Sequence, residues 1–119
     1  MMADRDQPLV SVVFSFRNEA ENLPTLISRL DKVFAGQPVR HELVFVNDDS
    51  TDASLTILLA ERERNPRLKI VNMSRRFGVA EGVLAGMTAA QGDAVIYMDA
   101  DLQDPPEVIP ALLDRKNVV

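Results

Sequence analysis

Cysteine is absent from all 119 residues, so neither a disulfide frame nor a thiolate metal site is available. No apolar run approaches the roughly 18 residues of a membrane-spanning helix. The opening Met1-Met2-Ala3-Asp4-Arg5-Asp6-Gln7-Pro8 carries no apolar signal core. Positive charge is scarce as well. Thirteen Lys and Arg face eighteen Asp and Glu, for a net charge of −5, and no basic cluster interrupts the chain. Nucleic acid repels such a surface, so no nucleic-acid partner is expected. The Gly-x-Gly-x-x-Gly fingerprint of dinucleotide folds and the P-loop are both missing. What remains is a composition of 46% hydrophobic and 26% charged residues, the balance of a folded chain with room for one domain. Together these absences predict a soluble, cytoplasmic protein.

The pattern that is present alternates short apolar runs with helix-period segments. Leu9 to Phe16 reads as a strand covered on both faces. Asn18 and Glu21 resemble a capping pair, ahead of Leu23, Leu26, Ile27, Leu30, Val33 and Phe34 on one helical face. Gly36-Gln37-Pro38 ends that helix. Leu43 to Val46 reads as a second strand, and Asp49-Ser50-Thr51-Asp52 as the start of a helix bearing Leu55, Leu58 and Leu59. Asn65-Pro66 closes it. A third strand spans Leu68 to Met73, a helix Val79 to Ala90, and a fourth strand Ala94 to Met98. Pro105-Pro106-Glu107 opens a last short helix. Such alternation predicts an α/β fold, a parallel sheet with helices on both faces. In doubly wound order the fourth strand lies on an edge. Its apolar run lacks the charges or prolines that blunt edges, so self-association is expected.

Parallel sheets bind ligands beyond the carboxyl ends of their strands. Here those ends read Arg17-Asn18-Glu19, Asn47-Asp48-Asp49, Ser74-Arg75-Arg76 and Asp99-Ala100-Asp101. Residues two apart in an extended segment point the same way. Asp99 and Asp101 would therefore share a face and repel each other unless a cation such as Mg²⁺ or Mn²⁺ joined them. The spacing alone is weak, since Asp4 and Asp6 repeat it in a terminal tail; the strand-end position strengthens it. Asp48 is a candidate acceptor for a nucleobase or ribose, whereas Asp49 or Ser50 suits a helix cap. Arg75 and Arg76 are candidates for phosphate contacts or for a solvated loop. Gly78, Gly82 and Gly86 recur every fourth residue, which suits close packing of a helix on the sheet better than a phosphate cradle. His41, Phe77 and Tyr97 are read as structural.

The run from Ser74-Arg75-Arg76-Phe77-Gly78, with Gly92-Asp93-Ala94 and Met98-Asp99-Ala100-Asp101-Leu102-Gln103-Asp104-Pro105-Pro106-Glu107, resembles the family 2 glycosyltransferases. The similarity is to their polyprenyl-phosphate subgroup, the dolichol-phosphate mannosyltransferases and bactoprenol glycosyltransferases of cell envelope biosynthesis. Val12 to Asn22 and Glu42 to Asp52 match as well. The resemblance implies a GT-A (Rossmann-like) fold in which residues 9–119 form the nucleotide-sugar-binding half, after a flexible tail at 1–8. It further implies a chain truncated after the Asp-x-Asp unit, before the acceptor-binding segments. By position, Asp99 and Asp101 would bind Mg²⁺ or Mn²⁺, with Gln103 near the metal and diphosphate. Glu19, Asp48, Arg75 and Asp99 would meet the nucleotide. The family often has proline where Ser15 stands, an aromatic at Arg17, asparagine at Arg76, a basic or polar residue at Val79 and glycine at Asp49. These departures leave UDP or GDP open.

The implied reaction moves a sugar from a nucleotide-sugar donor to a polyprenyl phosphate, with inversion, at the cytoplasmic face of a membrane. The alternative is a truncated, non-catalytic nucleotide-binding module. A pyrophosphorylase-like enzyme is disfavoured, because no Gly-rich, Lys-bearing loop follows the first strand.

Overall fold

The computed structural model describes residues 7–114. Most of the flexible tail expected at 1–8, including the Asp4/Asp6 pair, and the final five residues lie outside that range. The two described tail residues are tied down: Pro8 O accepts Arg40 N at 2.9 Å and Gln7 O accepts Arg40 Nε at 3.1 Å. The elements are β1 (Leu9–Phe16), α1 (Leu23–Ala35), β2 (Arg40–Asn47), α2 (Ser54–Arg64), β3 (Leu68–Asn72), α3 (Val79–Ala89), β4 (Ala94–Tyr97) and, after a single 3₁₀ turn at Pro106–Val108, α4 (Ile109–Leu113). No helix among the described residues is long and apolar enough to cross a membrane.

All strands pair in parallel, in the order β3-β2-β1-β4. β1 runs beside β2 from Leu9↔Arg40 to Phe16↔Asn47, and beside β4 from Val10↔Ala94 to Val13↔Tyr97. Because β1 is covered on both faces, its residues alternate between two layers. Val10, Val12, Phe14 and Phe16 join Leu43 and Phe45 against Leu23, Leu26, Ile27, Leu30 and Phe34 of α1, Leu58 of α2 and Ile109 of α4. Phe14 stacks on Phe45 with ring centroids 4.7 Å apart. Burial of each such side chain contributes about 1.5–3 kcal/mol, so this layer supplies most of the core. Leu59, grouped with it on sequence grounds, faces out of α2 instead.

The other layer is α3 alone. Its small-residue stripe lies directly on the sheet: a Cβ at Gly82 would overlap Ser15 Oγ, and one at Gly86 would overlap Val13 Cγ1. The spacing of these glycines is thus explained by close packing. A carboxylate of β2 fixes the carboxyl end of the helix. Glu42 Oε2 accepts Gln91 N at 2.6 Å and Ser11 Oγ–H at 2.5 Å, while Glu42 Oε1 pairs with Lys69 Nζ at 2.8 Å. Lys69 also donates to Ala89 O, at the last residue of α3. Burial would raise the Glu42 carboxyl, but the Gln91 N–H, Lys69 and Ser11 outweigh it and hold the group below the usual carboxylate range.

One local expectation is corrected. Asn18 does not cap α1; its backbone turns left-handed at φ 58° and its Oδ1 accepts Thr51 N and Asp52 N. Neither Asp49 nor Ser50 caps α2, whose N-cap position is Ala53; just ahead of it, Asp52 Oδ1 accepts Ser54 N at 2.9 Å. The polar residues read as caps of successive helices instead join the β1–α1 loop to the β2–α2 loop.

His41 stacks on Phe34, centroids 4.3 Å apart, with Asp31 Oδ1 at 4.0 Å from Nε2. Burial, helped by the charge of Arg67, lowers its pKa from 6.5 to about 4. Between those values the unfolded chain binds a proton that the folded chain refuses, so stability falls as the pH drops through that window. His41→Phe keeps the stack without titrating. Urea unfolding at stepped pH is expected to show a shallower loss from pH 6.5 to about 4 in the variant. Parallel acid limbs would refute the assignment.

Candidate functional site

The sheet order places a switch point beside β1: the chain moves outward through β2 and β3, then returns to the opposite side as β4. Connections leave that point in opposite directions, which opens a crevice beyond the carboxyl ends. A cleft of about 250 Å³ occupies it, lined by Ser15, Phe16, Arg17, Glu19, Asp48, Arg76, Gly78, Val79, Asp99, Ala100 and Asp101. A larger open groove, about 1080 Å³, lies at the amino ends around Asp31, His41 and Arg67. Most of its polar groups are engaged with one another, as in Arg64–Glu61, Asn65–Asp31 and Arg40–Gln7. The smaller cleft, with charged groups left open, is the better candidate.

The cleft floor is a pair of loops fastened together. Asn18 N donates to Ser50 Oγ, Glu19 N to Ser54 Oγ at 3.0 Å, and Ala20 N to Asp52 Oδ2. Glu19 is thereby held at the entrance. Desolvation raises its pKa, and the charges of Asp101 and Asp52 add to this despite the Asn22 hydrogen bond. The β4 side is a tight turn. Asp101 Oδ1 accepts Gln103 N at 3.1 Å, Asp99 N donates to Asp104 Oδ2, and Tyr97 Oη donates to Asp99 Oδ1 at 3.3 Å. Burial and the Asp99 carboxylate both raise the Tyr97 phenol. Leu102 takes a left-handed φ of 68° between Asp101 and Gln103, its side chain packed against the core.

Asp48 is 5% exposed and is the hinge of the opposite wall. Its Oδ1 accepts Phe77 N at 2.8 Å and its Oδ2 accepts Gly78 N at 2.9 Å. Gly78, at φ 97°, is the residue preceding α3, and only glycine adopts that backbone without strain. A carboxylate here also suits the positive end of the helix dipole. The sequence pointed to Asp48 as a nucleoside contact; in the structure it fixes the loop that forms the wall.

Glu19, Asp48, Asp99 and Asp101 are thus brought together. Arg75 and Gln103 are not among the lining residues. Arg75 lies over the Phe77 ring, its Cζ 4.3 Å from the centroid, and the neighbouring Arg76 lines the cleft. Arg17 also lines it; the sequence placed it at the end of the first strand but gave it no role beyond a departure from the family. Its parity with Ser15 along β1 was the available signal.

Among the described residues no three His, Cys, Asp or Glu side chains converge as a complete metal cage. A Mg²⁺-type ion needs less, because one or two carboxylates suffice when phosphates and water complete the shell. Asp99 and Asp101, which both line the cleft, fit that mode.

Asp48→Ala is expected to cost about 1–3 kcal/mol, the range for stranding buried donors. It should also accelerate amide hydrogen exchange at Phe77 and Gly78 while the Glu42 end of α3 stays protected. Unchanged exchange at those two amides would show that Asp48 does not hold the loop.

The Glycosyl transferase family 2 profile matches residues 11–117. Over 105 residues the chain is 39% identical to a dolichol-phosphate mannosyltransferase of Pyrococcus furiosus, covering 88% of this chain and 29% of that protein. It is 41% identical over 108 residues to an undecaprenyl-phosphate 4-deoxy-4-formamido-L-arabinose transferase of Pseudomonas paraeruginosa, covering 90% and 32%. Among solved structures, the mannosyltransferase PcManGT of Pyrobaculum calidifontis, in complex with GDP-Man and Mn²⁺, superposes with a TM-score of 0.69 at 27% identity, over 92% of this chain and 33% of that one. The chain spans about a third of the length of the curated relatives it matches. The fold, the crevice at the switch point and the match across nearly all of the sequence lead to one assignment: the chain belongs to glycosyl transferase family 2, with the GT-A architecture.

Proposed function

We propose that the cleft binds the nucleotide diphosphate of a sugar donor, and that the protein transfers the sugar to a polyprenyl phosphate with inversion. The observation that carries this reading is the gathering of Glu19, Asp48, Asp99 and Asp101 with two arginines in one crevice. A ligand that is anionic at one end and rich in hydrogen-bonding groups at the other suits such a lining. Relatives named for dolichol and undecaprenyl phosphate transfer support the acceptor class, and the neighbour holding GDP-Man and Mn²⁺ supports the donor class.

On this reading Asp99 and Asp101 would hold Mg²⁺ or Mn²⁺, which when bound would neutralise charge on the departing diphosphate. Arg76, exposed on the facing wall, supplies a guanidinium for the same oxygens. Gln103 and Arg75 are assigned to the outer edge of the diphosphate site. Glu19 and Asp48 border the nucleoside end. The acceptor phosphate has its second pKa near 6, so it is largely ionised at neutral pH and needs little help from a general base. The work left to the protein is to hold the two substrates in line, on this reading at the cytoplasmic face of a membrane.

Calorimetric titration with UDP and GDP, in Mn²⁺ and in EDTA, tests the donor site. Affinity is expected to fall in EDTA by about tenfold or more, the equivalent of ~1.4 kcal/mol, and Asp101→Ala should abolish that difference. Equal affinity in both buffers would remove the metal from the reading.

Self-association is proposed on separate grounds. β4 pairs only with β1 among the described strands, and Val95 on it is 39% exposed. Val79 and Leu84 of α3 add apolar surface at 65% and 67% exposure. Unpaired strand edges of this kind template pairing with another chain. Light scattering is expected to give a mass that rises with concentration. A monomer mass throughout the range would overturn this.

A further inference from the structure

The segment after β4 is held at two places with a turn between them. On the near side Met98 N still bonds Val13 O of the sheet, at 3.0 Å. The chain then turns through Asp99 to Asp104, where Asp99 N donates to Asp104 Oδ2 and Gln103 N to Asp101 Oδ1. Both of those bonds are internal to the turn. On the far side Pro106 is buried, and Ile109 enters the core layer that α1 shares. Leu102 packs against the same layer. Apolar burial is non-directional, so these contacts hold the segment down without fixing how it is rotated.

A directional contact stands beside them. Arg29 of α1 donates through Nε to Glu107 Oε2 at 3.0 Å and through Nη2 to Glu107 Oε1. Two parallel bonds make a fork that fixes the orientation of the carboxylate as well as its distance. The two side chains are 33% and 53% exposed, and an ion pair so open to water adds little to global stability. What it adds is direction. Glu107 is joined to Asp101 through Leu102-Gln103-Asp104-Pro105-Pro106, in which the proline rings stiffen the backbone, with Pro105 at φ −70°. A rotation at Glu107 is carried back along that connection to the cleft. Neither Arg29 nor Glu107 lines the cleft itself. We propose, on the donor-site reading above, that Arg29 and Glu107 are positioning residues for the metal: their fork fixes the rotation of the turn and with it the aim of Asp101.

The test is a double-mutant cycle in the 119-residue chain, with Arg29→Ala, Glu107→Ala and both together. Each protein is titrated with UDP and GDP in Mn²⁺ and in EDTA, and the readout is the gain in affinity that Mn²⁺ brings. Each single variant is expected to lose about threefold or more of that gain, and the double variant no more than either single. Affinity in EDTA should be unchanged, which also shows that the cleft is intact. Losses of one sign separate the fork from charge acting through space, which would weaken the metal without Glu107 and strengthen it without Arg29. In the metal-free chain, amide exchange at Asp99 and Gln103 should quicken in all three variants. Effects of opposite sign, additive losses, unchanged exchange or a full Mn²⁺ gain in every variant would each overturn the proposal. Equal falls in EDTA and in Mn²⁺ would overturn it too, as the mark of a merely structural role. A wild-type chain that gains nothing from Mn²⁺ would instead sink the metal in the donor-site reading, and the role of Arg29 and Glu107 with it.

Discussion

One strand grips α3 at both ends. On its α3-facing side β2 carries Glu42, Val44 and Val46, and Asp48 follows immediately at its end. The two valines lie under the helix, and the two carboxylates reach past it to backbone N–H groups at either end. Helix electrostatics favours Asp48 at the positive amino end; at the carboxyl end the favoured charge is Lys69, which donates to Ala89 O and pairs with Glu42. With the glycine stripe resting on bare sheet, α3 cannot slide without breaking one of these contacts. The wall of the cleft is an extension of that helix, so its position is inherited from β2.

The same arrangement accounts for what the amino-acid pattern revealed. Apolar runs located all four strands, most clearly β1 and β2, which are buried along most of their length and show no polar alternation to obscure them. β1 agrees at both ends with the run from Leu9 to Phe16. The glycines at 82 and 86 were legible as a packing stripe because a fourfold repeat maps onto one helical face, whereas Gly78, grouped with them, precedes the helix and is required by its positive φ. Asp99 and Asp101 were legible because they lie immediately after an apolar strand.

Contacts between loops were not legible in that way. Asn18 looks like a cap because caps and loop bridges use the same short polar side chains to satisfy backbone N–H groups; only the fold decides whose N–H is near. Asp48 has the composition of a ligand contact, and its bonds to Phe77 and Gly78, some thirty residues away, depend on the three-dimensional path of the chain. Arg75 and Arg76 are adjacent and chemically identical. The side chain that turns to the cleft is chosen by the Phe77 ring, which holds Arg75 away from it.

Leu102 carries a consequence of its own. A leucine at φ 68° bears on the order of 1–2 kcal/mol of backbone strain, and the turn tolerates it because the half-buried side chain packs against the core. Asp101 and Gln103 take their directions from that strained residue. The local order of this turn is therefore borrowed from hydrophobic packing several residues deep. When heat or denaturant loosens that packing, the strain has nothing to oppose it, and the turn relaxes in a sub-global opening while the β1–β2 ladder is still closed. The aim of Asp101 is less durable than the sheet that carries it.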